Sequence, residues 1–300
     1  MNVQKLPVSV VVLTFNEEAN IESCLSCVAG WAGEIIVVDS GSTDRTLEIV
    51  RKYTEKIHYH AFENYSRQRN WAQTSCHFEN EWVFHIDADE RVTSDLADSL
   101  QRTFCSENLD DSIRGILVRR LIMFSGRPIK HGGLYPTYHC RIFRKQYGRC
   151  EDREYDQHFQ VEGRTIQLEA DLLEITASSL FSWTSRHNRW AQMEAKQLLA
   201  GTHSDTPGLV QANLRGSPIE KRRWWRSRVY ERSPLFLRAF LYFASRYFIR
   251  GGFRDGVPGL IYHFLQGFWF RFYIDACYYE LLQGQPPANT AFSPHSHRGR

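Results

Sequence analysis

Trp82-Val83-Phe84-His85-Ile86-Asp87-Ala88-Asp89 is the stretch that decides the fold: an apolar run ending on two carboxylates two residues apart. Such a pair at a strand's end can share one divalent cation or its water shell. Oxygen ligands suit Mg2+ or Mn2+, which bind phosphate oxygens as readily as carboxylates. Upstream, Glu34-Ile35-Ile36-Val37-Val38 also ends on an aspartate, Asp39, followed by Ser40-Gly41-Ser42-Thr43-Asp44. The first apolar run, Val8-Ser9-Val10-Val11-Val12-Leu13, ends on Thr14-Phe15-Asn16-Glu17. Three apolar runs that each deliver polar groups at the carboxyl end predict a nucleotide site along the edge of a parallel sheet.

Helical patterns separate these runs. Asn20 to Trp31 places Ile21, Cys24, Leu25 and Val28 on one face. Thr43 to Tyr53 reads as the second helix, capped by Ser42 or Thr43, with Asp44 at its positive end. Lys56 to Phe62 fits a third strand, Ser66 to Thr74 and Thr93 to Phe104 fit helices, and the alternation implies right-handed βαβ units. Further on, Gly115 to Phe124 and Gln160 to Leu168 read as strands with no long helix between them. Ser125 to Glu151, rich in Gly, His, Tyr and Arg, reads as loops and short antiparallel strands added to the sheet, and Trp183 to Ala200 is helical again.

These patterns divide the chain into an α/β domain over 1–204, a linker over 205–220 containing Pro207, Gly208, Gly216 and Pro218, a helical region over 221–282, and a disordered tail over 283–300. Three hundred residues are enough for a full core, and 42% apolar content argues against disorder. The net charge of +3 hides an asymmetry: residues 217–254 hold ten Lys/Arg against two acids. That segment is expected to meet an anionic surface. Seven cysteines is an odd count, and no signal peptide precedes Val8, so a reduced, cytoplasmic protein is expected. Cys24 and Cys27 form a C-x-x-C without a second pair at zinc spacing, which reads as two small residues packed on a helix.

The helical region is too charged to span a bilayer: its longest run free of Asp, Glu, Lys and Arg, Gly256 to Phe270, is 15 residues, where about 20 are needed. Arg238, Tyr242, Arg246 and Arg250 form a narrow polar stripe, and His263, Gly267, Arg271 and Asp275 a second one. A broad aromatic face opposite a basic stripe is the pattern of a helix lying in the membrane interface. Trp224-Trp225 amid Arg222, Arg223, Arg226 and Arg228 fits the same place, with Phe268, Trp269 and Phe270 inserting. The competing arrangement is a helical subdomain whose aromatics pack on the catalytic sheet. Nucleic acid is not an expected partner, because the apolar face is too wide for a phosphate-tracking groove.

Val10-Val11, Leu13 to Glu17, Val37 to Asp44 and Asp87-Ala88-Asp89 together resemble the family 2 glycosyltransferases. Tyr65 to Ala72, Gly132 to Pro136, Arg141 to Arg144 and Gly251 to Gly256 are similar to segments of their lipopolysaccharide-core β-1,4-glucosyltransferase group. The resemblance covers roughly residues 7–282 and implies a GT-A fold: an α/β, Rossmann-like mixed sheet flanked by helices, here with a C-terminal amphipathic helical region. It implies a metal-dependent, inverting transfer of a hexose from a nucleotide sugar, UDP-linked, to a lipid-linked or envelope saccharide. The enzyme would be peripheral on the inner face of the cytoplasmic membrane.

Residue types and resemblance agree on roles. Thr14, Asn16 and Glu17, where the first strand meets a helix, should line the base and ribose pocket. Asp39 can accept a hydrogen bond from the N–H of a uracil-like base, and Arg67 and Arg69 can reach diphosphate or base. Asp87 and Asp89 would hold Mg2+ or Mn2+ on the diphosphate, where a cation stabilises the charge growing on the leaving group. A base must also take the acceptor's proton. Asp152 and Asp156 are equal candidates, because this chain has Tyr155-Asp156-Gln157-His158 where the core glucosyltransferase group carries His-Glu. Two other functions share some of these features. A nucleotidyltransferase would want a Gly-rich loop and a lysine after the first strand, which Thr14 to Glu17 does not offer; a non-catalytic membrane adaptor would not need Asp39, Asp87 and Asp89.

Overall fold

The sheet begins with β1 (Leu6–Thr14), flanked on either side by β2 (Ala32–Asp39) and β4 (Trp82–Asp87), both parallel to it. β3 (Ile57–Tyr59) pairs parallel with the outer edge of β2. The computed structural model describes residues 5–106, 109–152, 157–176, 179–200, 212–215 and 218–284. Alternation along β1 sends its side chains to two layers. Val8, Val10 and Val12 pack with α1 (Ile21–Ala29) and α4 (Ser94–Cys105), through Leu25, Val28, Leu96 and Leu100. Val11 and Leu13 pack on the other face with Ala72 of α3 (Tyr65–Ser75). α2 (Thr46–Val50) is shorter than the predicted Thr43 to Tyr53, because Asp44 turns the chain by accepting from the Thr46 amide at 3.0 Å. Cys24 and Cys27 lie on α1 and pack against the core.

Beyond β4 the sheet becomes mixed. After β5 (Glu90–Val92) come β6 (Ile113–Phe124), β7 (Arg127–Ile129) and β8 (Tyr138–Arg144), then a hairpin of β9 (Gly148–Cys150) and β10 (Phe159–Val161), and last β11 (Arg164–Ile175). The order is β3-β2-β1-β4-β8-β6-β11-β5, with β7 paired to β6. β8 lies antiparallel between β4 and β6. With no helix between β6 and β8, the chain can return only as a hairpin-type, antiparallel neighbour.

The C-terminal part is helical: α5 (Leu180–Leu199), α6 (Pro218–Trp225), α7 (Leu237–Ala244), α8 (Gly256–Tyr262) and α9 (Phe270–Leu282), with wider π-type turns over Ser245–Ile249 and His263–Trp269. Gly251, at φ 69°, reverses the chain between the two predicted helical stretches. α5, from the catalytic side of the boundary predicted at 204, packs on α9 through Ala191, Phe270 and Ile274. Most of the predicted linker and tail lies outside the described residues.

The polarity of these helices corrects the membrane pattern read from the sequence. Arg238 and Arg246 of the basic stripe are buried rather than facing headgroups. Arg238 Nε donates to Asp275 at 2.8 Å, and Arg246 Nε donates to the Gly132 carbonyl at 3.2 Å. A guanidinium can be buried only where such acceptors compensate its lost hydration. Arg223 is buried against Glu151, Arg226 pairs with Glu194, and Phe270 is fully buried, so these residues cannot meet lipid as expected. Among the described residues no helix is long and apolar enough to cross a membrane.

Candidate active site

The sheet register brings three predicted residues together. Thr14 stands opposite Asp39, and Leu13 opposite Asp87, so the carboxyl ends of β2, β1 and β4 present their polar groups side by side. The loops beyond β1 and β2 are tied to each other. Asn16, in a left-handed conformation at φ 52°, accepts from the Thr43 amide at 2.8 Å, and the Glu17 amide donates to Thr46 Oγ1 at 2.8 Å. Asn16 is thus a bracket between the loops as well as a candidate ribose contact. Asp39 is buried and accepts from the amides of Gly41 and Ser42, at 2.8 and 2.9 Å, and from Ser42 Oγ at 2.5 Å. Its carboxylate shapes the turn after β2.

Helix α3 separates the two predicted arginines. Its start is capped by Asn64, which accepts from the Arg67 amide at 2.8 Å. Arg67 points to solvent and pairs with Glu63, whereas Arg69 is buried. One Arg69 Nη2 bridges both oxygens of Asp87, at 2.8 and 2.7 Å. Arg141 on β8 approaches Asp87 at 3.5 Å and binds Glu90 at 2.5 Å, while Glu90 accepts from the Asp87 amide at 2.9 Å. The result is a lattice of carboxylates and guanidiniums around the end of β4.

This lattice sets the charge of the aspartate pair. Burial alone would raise the Asp87 carboxyl, but Arg69 and Arg141 outweigh it and hold it well below the usual carboxylate range. Asp89 experiences the reverse. Burial and the nearby charges of Asp87, Glu174 and Glu90 raise its pKa well above normal, and its nearest cation, Arg186 Nη1, is 3.8 Å away. Asp87 is flanked by two guanidiniums, those of Arg69 and Arg141, whereas Asp89 meets one, that of Arg186, at a longer distance. Thr14 Oγ1, Arg69 Nε and Arg141 Nη1 are buried without hydrogen-bond partners, so the site holds polar atoms that a bound ligand could satisfy.

The predicted acidic loop is only partly at hand. Asp152 is exposed just beyond β9, and Asp156 lies outside the described residues. Glu151, between them and β9, is buried and occupied: it binds Arg223, accepts from the His158 amide at 2.8 Å, and faces His158 Nδ1 at 3.1 Å. Ser66 and Asn70 of α3 hold this loop by donating to the carbonyls of Glu151 and Cys150, at 2.6 and 2.9 Å. Sequence reasoning missed Glu90 and Arg186, and singled out Arg141 only as part of a segment, without a role. Glu90 directly follows Asp89 and could have been suspected on that ground; Arg186 has no local signal.

Among the described residues no three His, Cys, Asp or Glu side chains form a metal cage. Two strand-end carboxylates with hard oxygen donors nevertheless suit Mg2+ or Mn2+, which are commonly held by one or two carboxylates plus substrate phosphates.

Comparison with known proteins agrees with this architecture. Residues 9–156 match Glycosyl transferase family 2. An uncharacterized glycosyltransferase of Rickettsia typhi is 27% identical over 271 residues, covering 86% of this chain and 85% of the relative. The lipopolysaccharide core biosynthesis glycosyltransferase LpsC of Rhizobium meliloti is 30% identical over 154 residues, covering 50% of this chain and 55% of the relative. Among solved structures, the mannosyltransferase PcManGT of Pyrobaculum calidifontis, in complex with GDP-Man and Mn2+, superposes with a TM-score of 0.53 at 15% identity, covering 94% of this chain and 88% of that one. Residues 9–156 form a family 2 glycosyltransferase domain, the protein is a glycosyltransferase, and its mixed sheet flanked by helices is the GT-A fold.

Proposed function

We propose that the protein transfers a hexose from a nucleotide sugar, UDP-linked, to a lipid-linked or cell-envelope saccharide, with inversion and with Mg2+ or Mn2+. The observation that carries this reading is the asymmetric pair at the end of β4: Asp87 clamped by Arg69 at 2.7 and 2.8 Å, and Asp89 with only the looser contact to Arg186 at 3.8 Å. Asp89, with Asp87 beside it, would hold the metal, which supplies Lewis-acid stabilisation for the departing diphosphate when bound. Thr14, Asn16, Glu17 and Asp39 would line the base and ribose pocket from the ends of β1 and β2. Arg69 keeps Asp87 ionised and fixed. Arg67, exposed at the start of α3, would reach the diphosphate only from outside.

The acceptor hydroxyl must lose a proton as it attacks, and Asp152 or Asp156 would take it. Glu151 is unsuited to this task, because its carboxylate is already bound by Arg223 and His158. The likeness to LpsC supports an envelope saccharide as acceptor, and with it a position on the inner face of the cytoplasmic membrane. Incubation of the purified protein with a panel of nucleotide sugars, with and without Mn2+, tests the reading. Slow metal-dependent release of nucleoside diphosphate from one donor is expected. Release of pyrophosphate from a nucleoside triphosphate and a sugar phosphate would instead mark a nucleotidyltransferase.

A further inference from the structure

The helices after residue 236 show an inverted polarity. Their charged side chains Arg238, Arg246 and Asp275 are buried, while Ile249, Val257 and Phe248 are 83%, 69% and 62% exposed. The outward residues are connected. Ring centroids link Phe253 to Tyr247 (6.4 Å), Tyr247 to Phe243 (5.4 Å), Phe243 to Phe264 (6.2 Å), and Phe264 through Phe268 to Phe272 (5.6 and 5.7 Å). Phe253, Phe264 and Phe272 of this strip are exposed, with the half-buried Tyr247, Phe243 and Phe268 between them, and an apolar patch of this kind marks an interaction surface.

Beside one end of the strip lies a recess of about 390 Å³, lined among others by Arg127, Lys130, Arg254 and Pro258. Phe253 and Val257 flank this wall in the chain. Arg127, Lys130 and Arg254 are exposed, and none of them forms an ion pair or a side-chain hydrogen bond among the described residues. The acid of the recess, Asp255, is already engaged: it accepts from the His131 amide at 2.9 Å and lies 2.5 Å from His131 Nδ1. It is also the one acidic residue between Leu237 and Leu265. The surface therefore has an apolar centre, a cationic rim and no free carboxylate.

We infer that this strip and recess dock the protein on an anionic phospholipid bilayer, the aromatic strip entering the acyl boundary and Arg127, Lys130 and Arg254 receiving headgroup phosphates. Charge complementarity selects this occupant: apolar side chains beside cations with no carboxylate partner, Lys130 resting over the Tyr135 ring at 5.9 Å, match acyl chains beneath phosphates. The inference rests on the proposed membrane-side acceptor and assigns its surface to residues other than the Arg222 to Arg228 cluster.

Co-sedimentation of the full-length protein with phosphatidylcholine vesicles, with and without about one third phosphatidylglycerol, tests the assignment. Wild-type protein should bind the anionic vesicles at least about tenfold more tightly than the neutral ones, and millimolar inorganic phosphate should not release it. The triple variant Ile249→Ser, Phe253→Ser, Val257→Ser should lose about tenfold or more of its binding to both. The triple variant Arg127→Ser, Lys130→Ser, Arg254→Ser should lose only the preference for anionic vesicles. All six side chains are exposed, so both variants should keep the wild-type melting temperature and donor hydrolysis in solution. Unchanged vesicle binding in the apolar variant would overturn the inference. So would a wild type that ignores vesicles but dimerises through the strip, with the apolar variant monomeric. Vesicle binding without donor hydrolysis would sink the glycosyltransfer reading and leave the docking surface standing.

Discussion

The two halves of the molecule differ in where their charged and apolar side chains go, although both bury some of each. In the sheet half, Val10, Val12, Ile36, Phe84 and Ile86 fill the interior, and the polar groups gather at the strand ends. In the helical half, Arg238, Arg246, His263 and Asp275 go inside while Phe240, Phe248 and Ile249 face out. The difference teaches what each half is built to meet. The sheet gathers its polar groups at one edge, whereas the helices leave several large apolar side chains on the outside; the docking surface inferred above would use them.

The sharpest way to test the first half is Asp89→Ala. It should lower transfer by about a thousandfold or more, since a cation's stabilisation of a transition state amounts to several kcal/mol. The melting temperature should hold or rise, because the substitution removes like-charge repulsion with Asp87, Glu174 and Glu90. Turnover equal to wild type in the presence of a chelator would remove the metal assignment.

The second half predicts an unusual stability pattern. Asp275→Ala should destabilise the fold by about 3–5 kcal/mol in chemical denaturation, because it leaves the Arg238 charge buried and unpaired. Phe248→Ser should change stability by less than about 0.5 kcal/mol, the range of ordinary surface substitutions. The reverse ranking would break the comparison between the halves.

Acid should expose the same polarity. His187 on α5 is buried with its Nδ1 donating to the Trp183 carbonyl at 2.8 Å, and burial chiefly pushes its pKa down to about 4. An unfolded histidine titrates near 6.5. Between those values the unfolded chain takes a proton that the folded one refuses. Stability should therefore fall by roughly 3 kcal/mol as pH drops from about 6.5 to about 4. A His187→Gln variant should show a shallower acid slope in pH-dependent denaturation.

The smallest effect concerns the base. Asp152→Asn or Asp156→Asn should lower turnover by about a hundredfold while leaving donor affinity close to wild type. Two variants of unchanged turnover would make the acidic loop a surface feature.

Much of the sheet half was legible because its signals are local. Apolar runs with polar ends mark β1, β2 and β4 directly, and the register then aligns Thr14, Asp39 and Asp87. β8 was less visible, because Arg141 and Arg144 interrupt its apolar pattern and their burial depends on Glu90 and Glu81, far away in sequence. Arg67 and Arg69 look alike in sequence; two residues apart on a helix they face different ways, and Asp87 determines which one is buried. The basic stripe of the helical half was visible too, but not the side it turns to. That choice is made by Asp275, 37 residues from Arg238, and by the Gly132 carbonyl, 114 residues from Arg246.

The measurement that bears most directly on the account is calorimetric titration of UDP into the wild-type protein and into Asp89→Ala, each with and without Mn2+. Mn2+ should tighten UDP binding to the wild type by about tenfold or more, and should leave the variant's weaker binding unchanged. Tight UDP binding that ignores Mn2+ in the wild type, or that keeps its Mn2+ dependence in Asp89→Ala, would contradict the role given to the carboxylates at the end of β4.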